Sequence, residues 1–235
     1  GAVGAPDSDE VIIAAAHCDN ADFLTGRYPR TRAAATVDLL NCRAHLKWRF
    51  NQAVAAAGRL LDSSGHIILR EVDLSRPCTF FGGASGRAKC DVLEGFGRAL
   101  HGAQDFYSHS NWADEADSAR PTGVKNPPGL ASTAVAPVMD LRAATVTVPT
   151  PLSTGCFSLI VIECRGRVTH GVLNKDKGII DPVTAAASSP TTPRGRVGTN
   201  FARAVRGAID ETRRQWADLA DEIVRTYGSA KGNLM

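Results

Sequence analysis

Histidine is scarce in this chain of 235 residues, with six in all: His17, His45, His66, His101, His109 and His170. Two of them stand with one carboxylate at every fourth position, in the pattern His101-x3-Asp105-x3-His109. On a helix of 3.6 residues per turn, positions four apart share a face, so three ligand-type side chains form one stripe. Imidazole and carboxylate are the ordinary donors for zinc and related divalent ions. Neighbouring positions rise by about 6 Å, whereas His101 and His109 lie about 12 Å apart along the axis, too far to share one ion at bonds of about 2.1 Å. Asp105 can reach towards both. The spacing therefore predicts two ions, with Asp105 bridging or shared and the missing ligands supplied by other segments. The competing reading is a solvated helix face that binds no metal, on which Asp105 merely orients a histidine. A third ligand-type residue at the next turn and the crowding of Phe106, Tyr107 and Trp112 around this short polar stretch weigh against it. Ser110 and Asn111 are placed to end the helix, and Gly102 to leave room beside His101.

The elements that must hold this stripe are mainly helical. Leu39, Leu46, Phe50, Ala53, Val54, Ala57 and Leu61 recur at helical spacing and predict a long amphipathic helix from Arg32 to Leu61, with Pro29 before it and Asp62-Ser-Ser-Gly65 after it. A second helix, carrying the stripe, is signalled by Leu93, Phe96, Leu100, Ala103 and Tyr107. A third runs from Thr199 to Tyr227 on Phe201, Val205, Ile209, Thr212, Trp216, Leu219, Ile223 and Tyr227, with Gly228 as its stop. Between Asp114 and Arg196 prolines from Pro121 to Pro193 break any long helix, so loops and short strands are expected there. Thr145 to Val148 alternates β-formers, and Phe157 to Ile162 is an apolar run fit for a buried strand or a short buried helix. The expected organisation is one domain over residues 1–235: a helical core at about 10–112 and 199–228, and an irregular, proline-rich excursion at about 114–196.

Composition adds limits rather than a function. The chain is 43% hydrophobic and 22% charged, with a formal charge of +3 and no basic block that would announce nucleic-acid binding. No run approaches the roughly 18 apolar residues of a membrane span. Six cysteines without any CxxC pair favour disulfides and an extracellular protein over a zinc ribbon. The opening at Gly1-Ala2 leaves open whether a leader has been cleaved. Cys78 and Cys90 flank the glycines Gly82, Gly83 and Gly86 and are the first pair expected. A continuous helix or strand would hold Cys156 and Cys164 at least about 12 Å apart, so either the chain bends between them or each pairs elsewhere. Gly82-Gly-Ala-Ser-Gly-Arg-Ala-Lys89 is not a phosphate loop, since no Gly-Lys-Ser/Thr ending follows.

Leu100-His-Gly-Ala-Gln-Asp-Phe-Tyr-Ser-His-Ser-Asn-Trp112 resembles the signature segment of the HET-C and CinY-like proteins, which are related to zinc-dependent phospholipase C and zinc-dependent single-strand nucleases. Ala16-His-Cys-Asp-Asn-Ala-Asp22, Tyr28-Pro-Arg-Thr-Arg32, Asn126-Pro-Pro-Gly-Leu130 and Thr169-His-Gly-Val-Leu-Asn-Lys-Asp176 look like further landmarks, so the resemblance spans most of the chain. It implies a mainly α, single helical domain of the zinc-dependent phospholipase C/nuclease type with a short-strand excursion. It also implies one or two zinc ions held by His101, Asp105 and His109, joined by His17, His170 and Asp176, with Asp105 as the catalytic carboxylate. Two departures follow from the same resemblance. The phospholipase C class binds metal through an N-terminal tryptophan, whereas no tryptophan precedes Trp48 here; and Asn174 stands where the class tends to place a carboxylate.

The remaining candidates have plainer readings. Asp19 and Asp22 are expected to cap a short helix begun near Asn20, with Asp19 also a candidate ligand. Lys175 is expected either to meet substrate phosphate or to pair with Asp176 at the surface, His45 to be a partly exposed helix residue, and His66 a loop residue. The function expected is a secreted, zinc-dependent hydrolase of phosphodiester bonds acting on a phospholipid or a nucleic acid, with Tyr107, Trp112 and Arg98 available to either substrate. The alternative is a non-catalytic secreted interaction protein that keeps the fold and a partial metal site.

Overall fold

Thr31 starts the first long helix: its hydroxyl accepts from the Ala34 N–H at 3.1 Å, satisfying one of the free donors of the first turn. The computed structural model describes residues 1–80, 86–159 and 161–235. Among these are seven α-helices: α1 (Pro6–Asp9), α2 (Arg32–Ala57), α3 (Leu69–Val72), α4 (Ala88–His109), α5 (His170–Leu173), α6 (Asn200–Tyr227) and α7 (Ser229–Gly232). Two strands, β1 (Ile179–Ile180) and β2 (Ala187–Ser188), pair antiparallel. The chain is mainly helical, as its periodicity predicts.

Helix α2 begins at the expected residue but tightens into a 3₁₀ turn at Gly58–Leu60, short of Leu61. Helix α4 lies against both α2 and α6 and carries the candidate stripe. Phe50, Leu46, Phe96, Ala103, Phe106 and Tyr107 are buried where these helices meet, each of the larger ones worth about 1.5–3 kcal/mol. The stripe predicted for α6 is right at its ends and wrong in the middle. Phe201, Val205, Leu219 and Ile223 are buried, but Trp216 is 62% exposed and the buried middle is Glu211 and Gln215. These polar residues can sit inside because each is bonded: Tyr107 donates to Glu211 at 3.1 Å, and Gln215 donates to Glu211 and to the Met139 carbonyl, both at 2.8 Å.

From Ser110 to Thr199 the described backbone is largely irregular, as the prolines require. Thr145 to Val148 forms no strand; Val146 and Val148 instead pack partly buried against the core. In the run from Phe157, Leu159 is 69% exposed rather than buried, and a 3₁₀ turn occupies Val161–Cys164. Ile160 lies outside the described residues, as does the 81–85 part of the glycine-rich stretch. Asp114 is a buried carboxylate that ties parts of the excursion together. Asp114 accepts from Lys175 Nζ at 3.1 Å and from Arg194 Nε and Nη2 at 2.7 and 2.9 Å. Lys175 is thus neither a phosphate ligand nor a surface partner of Asp176; it is buried, and it also donates to the Ser110 and Leu173 carbonyls.

All six cysteines are paired. Cys78–Cys90 is the expected bridge, and Cys156–Cys164 forms because the chain bends, bringing the Cα atoms to 5.7 Å. Cys18–Cys42 ties the segment of His17 to α2. No helix among the described residues is long and apolar enough to cross a membrane.

Candidate metal centre

The buried face of α4 meets two other segments, and each brings a histidine. His17 follows the 3₁₀ turn Ala14–Ala16, which lies against α4 because residue 102 is glycine. A Cβ there would stand 2.4 Å from the Ala16 carbonyl oxygen and 2.6 Å from Leu46 Cδ2, so only glycine admits this approach. His170 opens α5. Its N–H donates to the Cys156 carbonyl at 2.8 Å, while the neighbouring Gly155 N–H donates to the carbonyl of His109 at 3.0 Å. The strap between Thr154 and Cys156 thereby fixes His170 against the end of α4.

The first cluster is tight. His17 Nδ1 lies 2.9 Å from Asp105 Oδ2, His101 Nε2 lies 3.0 Å from His17 Nδ1, and His101 Nε2 lies 3.2 Å from Asp105 Oδ2. Ligands around one tetrahedral zinc at bonds of about 2.0–2.1 Å stand about 3.3 Å from one another, close to these separations. Asp7, absent from the predicted set, places Oδ1 3.8 Å from His101 Nε2, and Asp7, His17 and His101 form a group that could hold a metal ion. Nothing in the sequence singles out Asp7, whose side chain is 70% exposed. The other nitrogen of His17, Nε2, is buried without a hydrogen-bond partner, which fits a ring with a donor to spare.

The second cluster lies one turn further along α4. His109 Nε2 is 3.6 Å from Asp176 Oδ2, and its ring stacks on that of His170 with centroids 3.6 Å apart. His109 Nδ1 is buried and unpartnered. His170 Nδ1 bonds Asp19 Oδ1 at 2.9 Å. The six predicted residues thus gather on one face as two groups, His17–His101–Asp105 and His109–His170–Asp176. Asp105 contacts His17 and His101, and its charge also reaches His109 and His170.

That field sets the protonation states. Burial alone would raise the Asp105 carboxyl, but the hydrogen bonds from His101 and His17 outweigh it and hold it well below the usual range. Burial lowers His17 and His101, and the bond and charge of Asp105 reverse this, so both are raised. His170 is raised in the same way by Asp19 against its burial. His109 is lowered, first by burial, with Asp176 only partly opposing. Asp176 is held low, first by the His109 ring beside it.

Other expectations change. No helix begins near Asn20; Asp22 is a buried anchor that accepts from Tyr28, Arg30 and Arg167, and Asp19 supports His170. Asn174 spends its side-chain oxygen on the Asp176 N–H at 3.0 Å. His45 is the partly exposed α2 residue expected, 3.6 Å from Glu10 and outside both clusters, and His66 is the loop residue expected. Arg98, Tyr107 and Trp112 are buried and engaged, so none offers a contact or stacking surface to a substrate. Beside the second cluster lies a cavity of about 520 Å³, bordered by Ser108 and Asp176 and walled by Ile180, Phe201, Val205 and Ile209. Compared with protein-family models, curated proteins and solved structures, the chain has no match.

Proposed function

We propose that the protein is a secreted, zinc-dependent hydrolase of phosphodiester bonds, of the phospholipase C-like type that the HET-C and CinY resemblance implies. The observation that carries this reading is the convergence of His17, His101 and Asp105, with Asp7, into one nitrogen and oxygen donor set. That set suits zinc, with its tolerance for mixed imidazole and carboxylate ligands. A bound zinc ion supplies Lewis acidity and a water acidified towards neutral pH.

The chain's own residues supply the rest. Asp105 stays ionised and offsets the positive charge gathered between its two histidines. Asp19 and Asp176 orient His170 and His109, the arrangement in which a carboxylate holds a ligating imidazole. The apolar cavity next to Asp176 fits the diacyl part of a phospholipid better than a row of bases, because Tyr107 and Trp112 are enclosed. Three disulfides accord with an oxidising compartment.

The test combines metal content with turnover. Purified protein should hold zinc at stoichiometric level and cleave phosphatidylcholine vesicles at the glycerol–phosphate bond. Asp105→Asn should abolish this while the protein still melts cooperatively. Protein that neither binds zinc nor cleaves any phosphodiester with zinc added removes the proposal. The non-catalytic alternative draws on one observation, the use of Asn174 as a local cap where a ligand is expected. It is favoured if zinc raises the melting temperature but no phosphodiester is cleaved.

A further inference from the structure

The segment before His17 lies along α4 and reaches the first cluster at His101. Three sets of contacts fix it there. His101 bonds the backbone of Val3, and since its Nε2 faces His17 and Asp105, that bond sets the orientation of the ring. Asp7 reaches the same Nε2 at 3.8 Å, and His101 is its one ionic partner among the described residues. Arg98, one turn before His101 and itself buried, grips Asp9 with two nitrogens at 2.7 and 2.6 Å and Glu10 at 2.9 Å. Glu94 accepts from the Arg98 Nε at 2.6 Å and completes the anchor.

The close approach is written into residue 97. A Cβ on Gly97 would stand 2.4 Å from Ala2 Cβ and 2.8 Å from the Ala2 carbonyl carbon. Two successive turns of α4 thus hold the anchor of the segment, at Arg98, and the metal ligands, at His101 and Asp105. At 3.8 Å, Asp7 is too far from His101 for a hydrogen bond, yet its ligand atom lies within 4.8 Å of those of His17 and His101. A cation between them would close that gap.

We propose that Gly1–Glu10 is a metal-coupled strap: Asp7 is a further ligand of the ion held by His17, His101 and Asp105, and ion binding and strap docking are one linked equilibrium. Linkage requires reciprocity: the factor by which the bound ion strengthens docking of the strap is the factor by which the docked strap strengthens the ion, so loosening the strap weakens the ion by at most that factor. The inference rests on the reading that this cluster takes a divalent ion, and not on hydrolytic activity.

The experiment uses the full chain, zinc titration by calorimetry, and hydrogen–deuterium exchange of residues 1–10 with and without zinc. Zinc should slow exchange across 1–10 in the wild type. Asp7→Asn should weaken zinc by at least about 10–100-fold and abolish that protection, while exchange in α6 is unchanged. Asp9→Asn loosens the anchor without touching a ligand, so it should raise exchange of 1–10 in the absence of zinc and weaken zinc by a smaller factor. Wild-type zinc affinity in Asp7→Asn, or exchange of 1–10 indifferent to zinc, overturns the strap. A wild type that protects 1–10 on zinc but cleaves no phosphodiester removes the hydrolase reading and leaves the strap intact. A wild type that binds no zinc overturns both.

Discussion

At the scale of single residues, Asp105 and the imidazoles of His17 and His101 titrate as a coupled set rather than as three groups. Both rings are raised above the ordinary histidine value, so they retain protons further up the pH scale than free imidazole does. A metal ion must displace those protons. Zinc affinity should therefore rise with pH between about 5.5 and 7.5, and binding should release protons, read as an enthalpy that depends on the buffer's own ionisation. An affinity flat across that range would contradict the assignment. Asp105→Asn should also return the His17 and His101 titrations, followed by NMR, to lower pH. Gly102→Ala tests the approach of the His17 segment. Its new Cβ meets the Ala16 carbonyl at 2.4 Å, so it should cost about 1–3 kcal/mol and weaken zinc together.

At the scale of elements, the site depends on how the excursion and the strap are fastened to α4. Asp114 is shared by buried Lys175 and Arg194, and Lys175 directly precedes Asp176 of the second cluster. Asp114→Asn leaves two buried cations uncompensated and should cost about 3–5 kcal/mol, a fall in Tm on the order of 10 °C in a chain of this size. The strap carries its own pH dependence. Burial raises the Glu10 carboxyl, but bonds from Arg49 and Arg98 outweigh it, and the folded value lies below the ordinary 4.5. Its stabilising contribution is therefore complete above 4.5 and lost as pH falls through the folded value. His45, 3.6 Å from Glu10 and lowered first by its burial, carries the same sign, since it too must gain a proton as the pH falls. Limited proteolysis should find residues 1–10 released in acid before the helical core melts, and simultaneous loss of both would refute a separate strap.

At the scale of the whole molecule, two of the three disulfides differ in what they serve, one holding the site and the other stability alone. Cys18–Cys42 joins the residue after His17 to α2, whereas Cys78–Cys90 closes a loop before α4, away from both clusters. Removing either pair should cost about 2–4 kcal/mol. Replacing Cys18 and Cys42 by alanine should also weaken zinc, because His17 loses its tether. Replacing Cys78 and Cys90 should lower Tm and leave zinc affinity unchanged. Calorimetry on the two variants separates these outcomes.

Local pattern was enough for the three long helices, the irregular stretch between Asp114 and Arg196, the Cys78–Cys90 bridge and the His101, Asp105 and His109 stripe, whereas His17, His170 and Asp176 entered only through the family resemblance. Periodicity reports which residues share a helix face, and a proline reports where a helix cannot continue, whatever surrounds them. The same pattern misread the middle of α6, where Glu211 and Gln215 are buried and Trp216 is not, because burial of a polar side chain depends on partners such as Tyr107 and Met139 that lie far away in sequence. It misread Lys175, Arg98 and Asp22 for the same reason, since each is buried by charges from other segments. Only the tertiary structure divided the His101-to-His109 stripe into two clusters, turned Asp105 towards one of them, and brought in Asp7. The i, i+4 spacing determines which side chains share a face, but which donors meet is decided by the segments folded against it.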